Sequence, residues 1–96
     1  ALTLSPFQAT VFNNLGVAHA ALGNLEEAIA NYDQALSFNS RNANAYYNRG
    51  VAYRRLSNWA AALADFQTYL ELRPNAANRG ETEQIIREVQ GQLDSS

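Results

Sequence analysis

Residues 12–18 read Phe12-Asn13-Asn14-Leu15-Gly16-Val17-Ala18, and 34 positions later residues 46–52 read Tyr46-Tyr47-Asn48-Arg49-Gly50-Val51-Ala52. The agreement extends outward at the same offset, pairing Leu22 with Leu56, Asn24 with Asn58, Ala28 with Ala62, Ala30 with Ala64, and Leu36 with Leu70. Aromatic character is kept as well, from Phe12 to Tyr46 and from Tyr32 to Phe66. Self-similarity at one fixed period is the mark of a repeat architecture, in which each unit buries its apolar face against the next.

Within a unit the apolar spacing is helical. Leu15, Ala18, His19 and Leu22 fall at i, i+3, i+4 and i+7, and so do Leu25, Ala28, Ile29 and Tyr32. Each set predicts an amphipathic helix with one buried stripe. Gly23-Asn24 stands between them. Glycine accepts the left-handed conformation that closes a helix, and Asn24 with Glu27 three residues on predicts an N-capping pair for the next one. Ser57-Asn58 takes this place in the second unit, at a conformational cost that glycine avoids. Gly16, Ala28, Ala35, Gly50 and Ala62 put little side chain where helices must approach within about 8–10 Å. Leu15, Tyr32, Leu36, Tyr53, Trp59, Phe66 and Leu70 fill the space beside them.

The period and these positions resemble the tetratricopeptide repeat family. The resemblance rests on Phe12, Leu15, Gly16, Ala28, Tyr32 and Ala35, then Tyr46, Gly50, Tyr53, Ala62, Phe66 and Pro74. It implies an all-α fold of antiparallel helix hairpins stacked as a short right-handed solenoid of about five helices. The organisation expected is the tail of a preceding repeat in 1–8, one repeat in 9–42, a second in 43–76, and a capping helix in 77–96. Ala1, Leu2, Leu4 and Pro6 match the ends of the two later units, so a piece of a longer array is expected. Arg49, Tyr69, His19 and Ser40 depart from the residues usual in the family, which puts local packing in question there. His19 falls in a slot that is normally aromatic, and a structural role is expected of it.

Beyond Asn75 the repeat fades into a helix with one apolar edge, Ile85, Ile86, Val89 and Leu93, and a wet remainder of Glu81, Glu83, Gln84, Arg87, Glu88 and Gln92. A polar outer face is what ends a repeat stack. Glu83 and Arg87 suit an i,i+4 pair, and Gly80 and Gly91 weaken the helix toward its ends.

Composition narrows the function. The 96 residues carry a formal charge of −2, with 47% hydrophobic and 17% charged residues, so the chain is a folded domain without the basic field that nucleic acid or an anionic membrane requires. All seven cationic residues are arginines. Without cysteine and with one histidine, no disulfide framework or common zinc constellation can form. The longest strongly apolar run, Trp59 to Ala64, is far short of the roughly twenty residues of a membrane span. A soluble and cytoplasmic protein is the expectation. No nucleophile, base and orienting group recur at a useful spacing, and no glycine-rich loop follows a strand, so neither catalysis nor a cofactor is expected.

The expected activity is protein binding. In the family's stacks the first helices of successive units line a concave face, here Thr10, Asn13, Asn14, Val17, Asn44, Tyr47, Asn48, Val51, Arg54 and Arg55, with Ala20 and Ala21 at its edge. A side-chain amide both donates and accepts, so Asn14 and Asn48 can match the backbone of an extended peptide. Related superhelices hold peptides with ladders of asparagine. Arg54 and Arg55 suggest preference for a carboxylate. The family's clamp for the acidic tails of heat-shock chaperones is matched only at Asn48, since Asn13 and Val17 replace a lysine and an asparagine; that ligand is disfavoured. A second expectation is self-association through apolar surface at the N-terminal end, from Leu2, Leu4, Phe7 and Val11.

Overall fold

The computed structural model describes residues 6–95, and all of the regular structure in them is helical. Five helices follow in order: α1 (Pro6–Ala21), α2 (Leu25–Phe38), α3 (Ala43–Arg55), α4 (Trp59–Leu72) and α5 (Arg79–Ser95). Helix α2 packs on both α1 and α3, and α4 packs on both α3 and α5. The result is two layers, with α1, α3 and α5 side by side in one and α2 and α4 in the other.

Both hairpin corners are made the same way. At the end of α1 the Asn24 amide donates to the His19 carbonyl at 2.9 Å, and at the end of α3 the Asn58 amide donates to the Tyr53 carbonyl at 2.9 Å. This bond closes a helix when the residue before it is left-handed. Gly23 has φ +84°, and Ser57 takes the same turn at φ +60°. The capping pair expected at Asn24 does not form: neither Asn24 nor Asn58 makes a side-chain cap bond. Glu27 turns instead toward His19, and the Asn24 backbone carbonyl starts α2 by accepting from Ala28.

Close helix approach is visible at the two glycines. A Cβ on Gly16 would overlap the Tyr32 ring, while one on Gly50 would lie 3.2 Å from the Phe66 ring. Tyr32 with Ala28 and Ala52 makes one cluster of the core, with Leu25 and Ile29 against it. Phe66, Ala62 and Val89 make the other, joined by Tyr47, Val51, Tyr53, Trp59, Ile85 and Ile86. The second therefore ties α3, α4 and α5 together.

The stripe expected to be buried on α1 is corrected by about one residue's rotation. Leu15 is 44% exposed, Leu22 is 76% exposed and Ala18 is exposed, whereas Ala9 and Gly16 are buried and Phe12 and His19 half-buried. The face with the most leucine is not the face with α2 behind it; small residues carry the contact, because α2 presents the Tyr32 ring there. Phe12 stacks on Phe38, with centroids 5.6 Å apart. His19 is half-buried as a packing residue, but its Nδ1 has no hydrogen-bond partner and lies 3.9 Å from Glu27.

Arg49 takes up the place where Leu15 stands in the first unit, and it replaces apolar packing by charge. Its guanidinium makes two 2.8 Å bonds to Asp65 on α4 and one of 2.8 Å to Asp33 on α2, with the Tyr46 and Tyr53 rings at 5.6 and 5.9 Å. The hydrogen bonds that it donates to Asp65 hold the Arg49 guanidinium above its ordinary value, against the opposing effect of burial. Three helices are thus pinned by one side chain. Tyr69 donates to Asn78 at 2.7 Å, and Tyr46 to the Ser40 carbonyl at 3.0 Å, so these departures also make specific bonds.

Helix α5 buries Thr82 and Val89 and rests Ile85 and Ile86 on the second cluster. Its ion pair joins Arg79 to Glu83 at 3.2 Å, in place of the expected Glu83 and Arg87. The helix continues through Gly80 and Gly91 to Ser95. Ala1, Leu2 and Leu4 lie outside the described residues.

Candidate peptide-binding face

At 3.6 residues per turn, Thr10, Asn14, Val17 and Ala21 fall within a sector about 60° wide on α1. All four are exposed, and they lie away from the side that meets α2. Asn13 and Ala20 border this sector on the side of α3, where the two helices touch. There the Asn48 amide donates to the Asn13 oxygen at 3.0 Å. Asn48 therefore faces the same layer as Asn14, but part of its amide is already engaged by a neighbouring asparagine.

On α3 the corresponding residues are Asn44, Asn48, Val51 and Arg55, with Tyr47 and Arg54 toward α5. Asn44 is exposed; Tyr47, Asn48, Val51 and Arg54 are half-buried. Tyr47 packs on Phe66 and Tyr69, at centroid distances of 5.4 and 5.0 Å, so its ring is core as much as surface. Of the ten residues singled out by the repeat, Asn13 and Asn48 are in direct contact between α1 and α3.

The two arginines do not make a free positive patch. Arg54 reaches forward to Glu88 on α5 at 2.7 Å, and Arg55 reaches back to the Ala20 carbonyl at the end of α1 at 3.0 Å. The carboxylate that the sequence suggested for Arg54 is supplied by the chain itself. Both side chains staple neighbouring inner helices at the same end of the stack, and Asn13 with Asn48 does so further along. Exposed pairs of this kind add little stability each.

Residues on α5 and just before it that the repeat pattern did not single out also border this layer. Asn78, Glu81, Thr82, Ile85 and Glu88 stand 34 positions after Asn44, Tyr47, Asn48, Val51 and Arg54. The signal was present as a continued period, though the residue types had changed enough to obscure it. Thr82 is fully buried and donates to the Asn78 carbonyl at 2.9 Å, so the amide row ends before α5.

Among the described residues no group of three His, Asp or Glu converges to hold a metal ion, and no helix is long and apolar enough to cross a membrane.

Two layers of paired helices with an amide-lined inner face define an α-helical repeat protein. A family model described as TPR repeat matches residues 20–57, and one described as Tetratricopeptide repeat matches residues 43–76. The chain belongs to the tetratricopeptide repeat family. Among solved structures it is similar to the first TPR of Spaghetti (RPAP3) bound to the HSP90 peptide SRMEEVD, at 26% identity and a TM-score of 0.83, over 94% of this chain and 69% of that one. It is similar to the first TPR domain of human RPAP3 at the same identity and TM-score, over 95% of this chain and 69% of that one. No curated protein sequence matches the chain.

Proposed function

We propose that the chain binds an extended segment of a partner protein along the inner layer formed by α1, α3 and α5. The observation that carries this reading is the Asn48 to Asn13 hydrogen bond, 3.0 Å long, with Asn14, Asn44, Thr10 and Val17 exposed around it. An amide pair that is held in place, with donor and acceptor capacity left over, can match the N–H and C=O groups of a peptide whatever its side chains. The RPAP3 neighbour holds a peptide, which supports the same use of this fold. The HSP90 tail itself is not the ligand proposed, because Arg54 is paired with Glu88, and Asn13 and Val17 stand where the family's clamp for that tail has a lysine and an asparagine.

Each neutral hydrogen bond adds about 0.5–1.5 kcal/mol, so a few of them with some apolar contact give micromolar or weaker affinity. Amide chemical shifts of the isotope-labelled chain, followed while peptides selected from an array are added, test the reading. Changes should concentrate at Thr10, Asn13, Asn14, Val17, Asn44 and Asn48. Changes confined to α2 and α4 would place the ligand elsewhere and end the proposal.

A second reading, self-association, is favoured by a different face. Val11, Leu15 and Leu22 are 51%, 44% and 76% exposed and lie along one side of α1 and its end. Helix α1 carries no Asp, Glu or Arg, so a second copy could meet it without burying a charge. The chain lacks cysteine, which makes Leu15→Cys a clean probe. Rapid disulfide dimerisation of that variant, with a concentration-dependent mass for the unmodified chain in light scattering, is expected; a constant monomer mass rejects it.

A further inference from the structure

Helix α1 brings no Asp, Glu, Lys or Arg to the inner layer, so the charge of that layer comes from α3 and α5. On the inner side of α3 it comes from Arg54 and Arg55, and the two differ in what meets them. Arg54 meets a carboxylate, that of Glu88, at 2.7 Å. Arg55 meets a carbonyl, that of Ala20, through Nη1 at 3.0 Å, and forms no ion pair among the described residues. A carbonyl holds a guanidinium in place without cancelling its charge, and most of the N–H donors are left over. The face therefore keeps one positioned and exposed positive charge.

That charge stands in line with the amides. Asn44, Asn48, Val51 and Arg55 fall at i, i+4, i+7 and i+11 of one helix, within a sector about 60° wide. Asn44 and Arg55 are exposed, and Asn48 keeps its side-chain oxygen as an acceptor after donating to Asn13. At about 1.5 Å per residue, Arg55 lies about 10 Å beyond Asn48 and about 16 Å beyond Asn44 along α3. An extended chain advances about 3.3 Å per residue, so about three residues cover the first interval and about five the second. A short segment laid along α3 thus meets both amides and the guanidinium. Glu81, 34 positions after Tyr47 and exposed, stands toward the other end of the layer and disfavours an acid there.

Resting on the peptide-binding reading above, we propose that this face takes an extended segment with one acidic side chain, seated on Arg55, and that Glu88 limits the segment to one acid by occupying Arg54. The backbone about three residues from that acid meets Asn48. A second acid beside the first gains little, since it can reach Arg54 only by displacing Glu88, one carboxylate for another.

The test follows the isotope-labelled whole chain by NMR while three acetylated and amidated peptides are added, so that no terminal charge contributes. They are Thr-Val-Gln-Thr-Val-Asp, the same peptide ending in Asn, and Thr-Val-Gln-Thr-Asp-Asp. The first should bind about fivefold more tightly than the second, the upper range for an exposed ion pair, and should shift the Arg55 Nε–H and Asn48 side-chain signals. High salt should erase this advantage, and so should Arg55→Gln, which keeps a donor for the Ala20 carbonyl. The third peptide should match the first on the parent chain and exceed it about threefold on Glu88→Gln, where Arg54 is released. Equal affinity for the Asp and Asn peptides, with shifts still on the inner layer, overturns the acid seat while the peptide-binding reading stands. An acid preference that survives Arg55→Gln overturns the assignment to Arg55, and a gain from the second Asp on the parent chain overturns the role of Glu88. Shifts confined to α2 and α4, or none with any peptide at millimolar concentration, end this proposal and the reading beneath it.

Discussion

Helices α1 and α3 descend from one pattern, yet they live in different surroundings. Helix α3 is covered on one side by α2 and on the other by α4, and Arg54 links it to α5, whereas α1 is covered by α2 and touches α3 only along one edge. Leu56 is 38% exposed where its counterpart Leu22 is 76% exposed. Arg49 joins Asp33 and Asp65 where Leu15 stands in water. Identical spacing therefore marks which residues can make contacts, and the presence of a neighbour decides which do. In a stack whose units touch only adjacent units, that neighbour is the main energetic difference between equivalent positions.

The sharpest way to break this comparison is at Arg49. Arg49→Leu restores the residue of the first unit but leaves Asp65 buried and unpaired, with 6% of its side chain exposed. A loss of about 2–4 kcal/mol is expected, reduced from a fully buried pair because Arg49 itself is 21% exposed. Urea denaturation measures it, and the double variant Arg49→Leu/Asp65→Leu should recover much of the loss. Leu15→Arg, its mirror image, should cost less than about 0.5 kcal/mol.

The glycines come next. Gly16→Ala forces the Tyr32 ring to move and should cost about 1–3 kcal/mol, while Gly50→Ala, with 3.2 Å to the Phe66 ring, should cost less. Thermal unfolding of the two variants side by side reports the order, and a reversed order would contradict the packing described. Between the helices, Asn48→Ala removes the bond to Asn13 and should lower stability by about 0.5–1.5 kcal/mol while weakening peptide binding.

Alkaline pH gives the smallest effect. Burial raises the Tyr32 phenol above its ordinary value of 10.0, so the unfolded chain ionises first. Stability from this group is complete below pH 10.0 and declines above it until the folded-state value is passed. Unfolding midpoints measured across that range should fall more steeply for the parent chain than for Tyr32→Phe.

Several features were legible in the residues because they depend on local conformation or on a strict period. The two corners at Gly23 and Ser57, the five helices and the close approach at Gly16 and Gly50 are of this kind. The continued row from Val17 through Val51 to Ile85 was equally present but hidden by the changed residues around it. The Asn24 cap differs from the one its spacing to Glu27 suggests, since a backbone bond can do the work of a side chain and the spacing does not say which is used.

The sequence by itself determined the repeat, its helices and the residues that share a face, because a 34-residue period and a 3.6-residue turn are properties of the chain alone. Only the tertiary structure decided that α1 meets its neighbour through Ala9 and Gly16 in place of Leu15 and Leu22. It also assigned Arg54 and Arg55 to Glu88 and the Ala20 carbonyl. Both outcomes turn on which groups from other helices arrive within bonding distance, and no spacing within one helix contains that information.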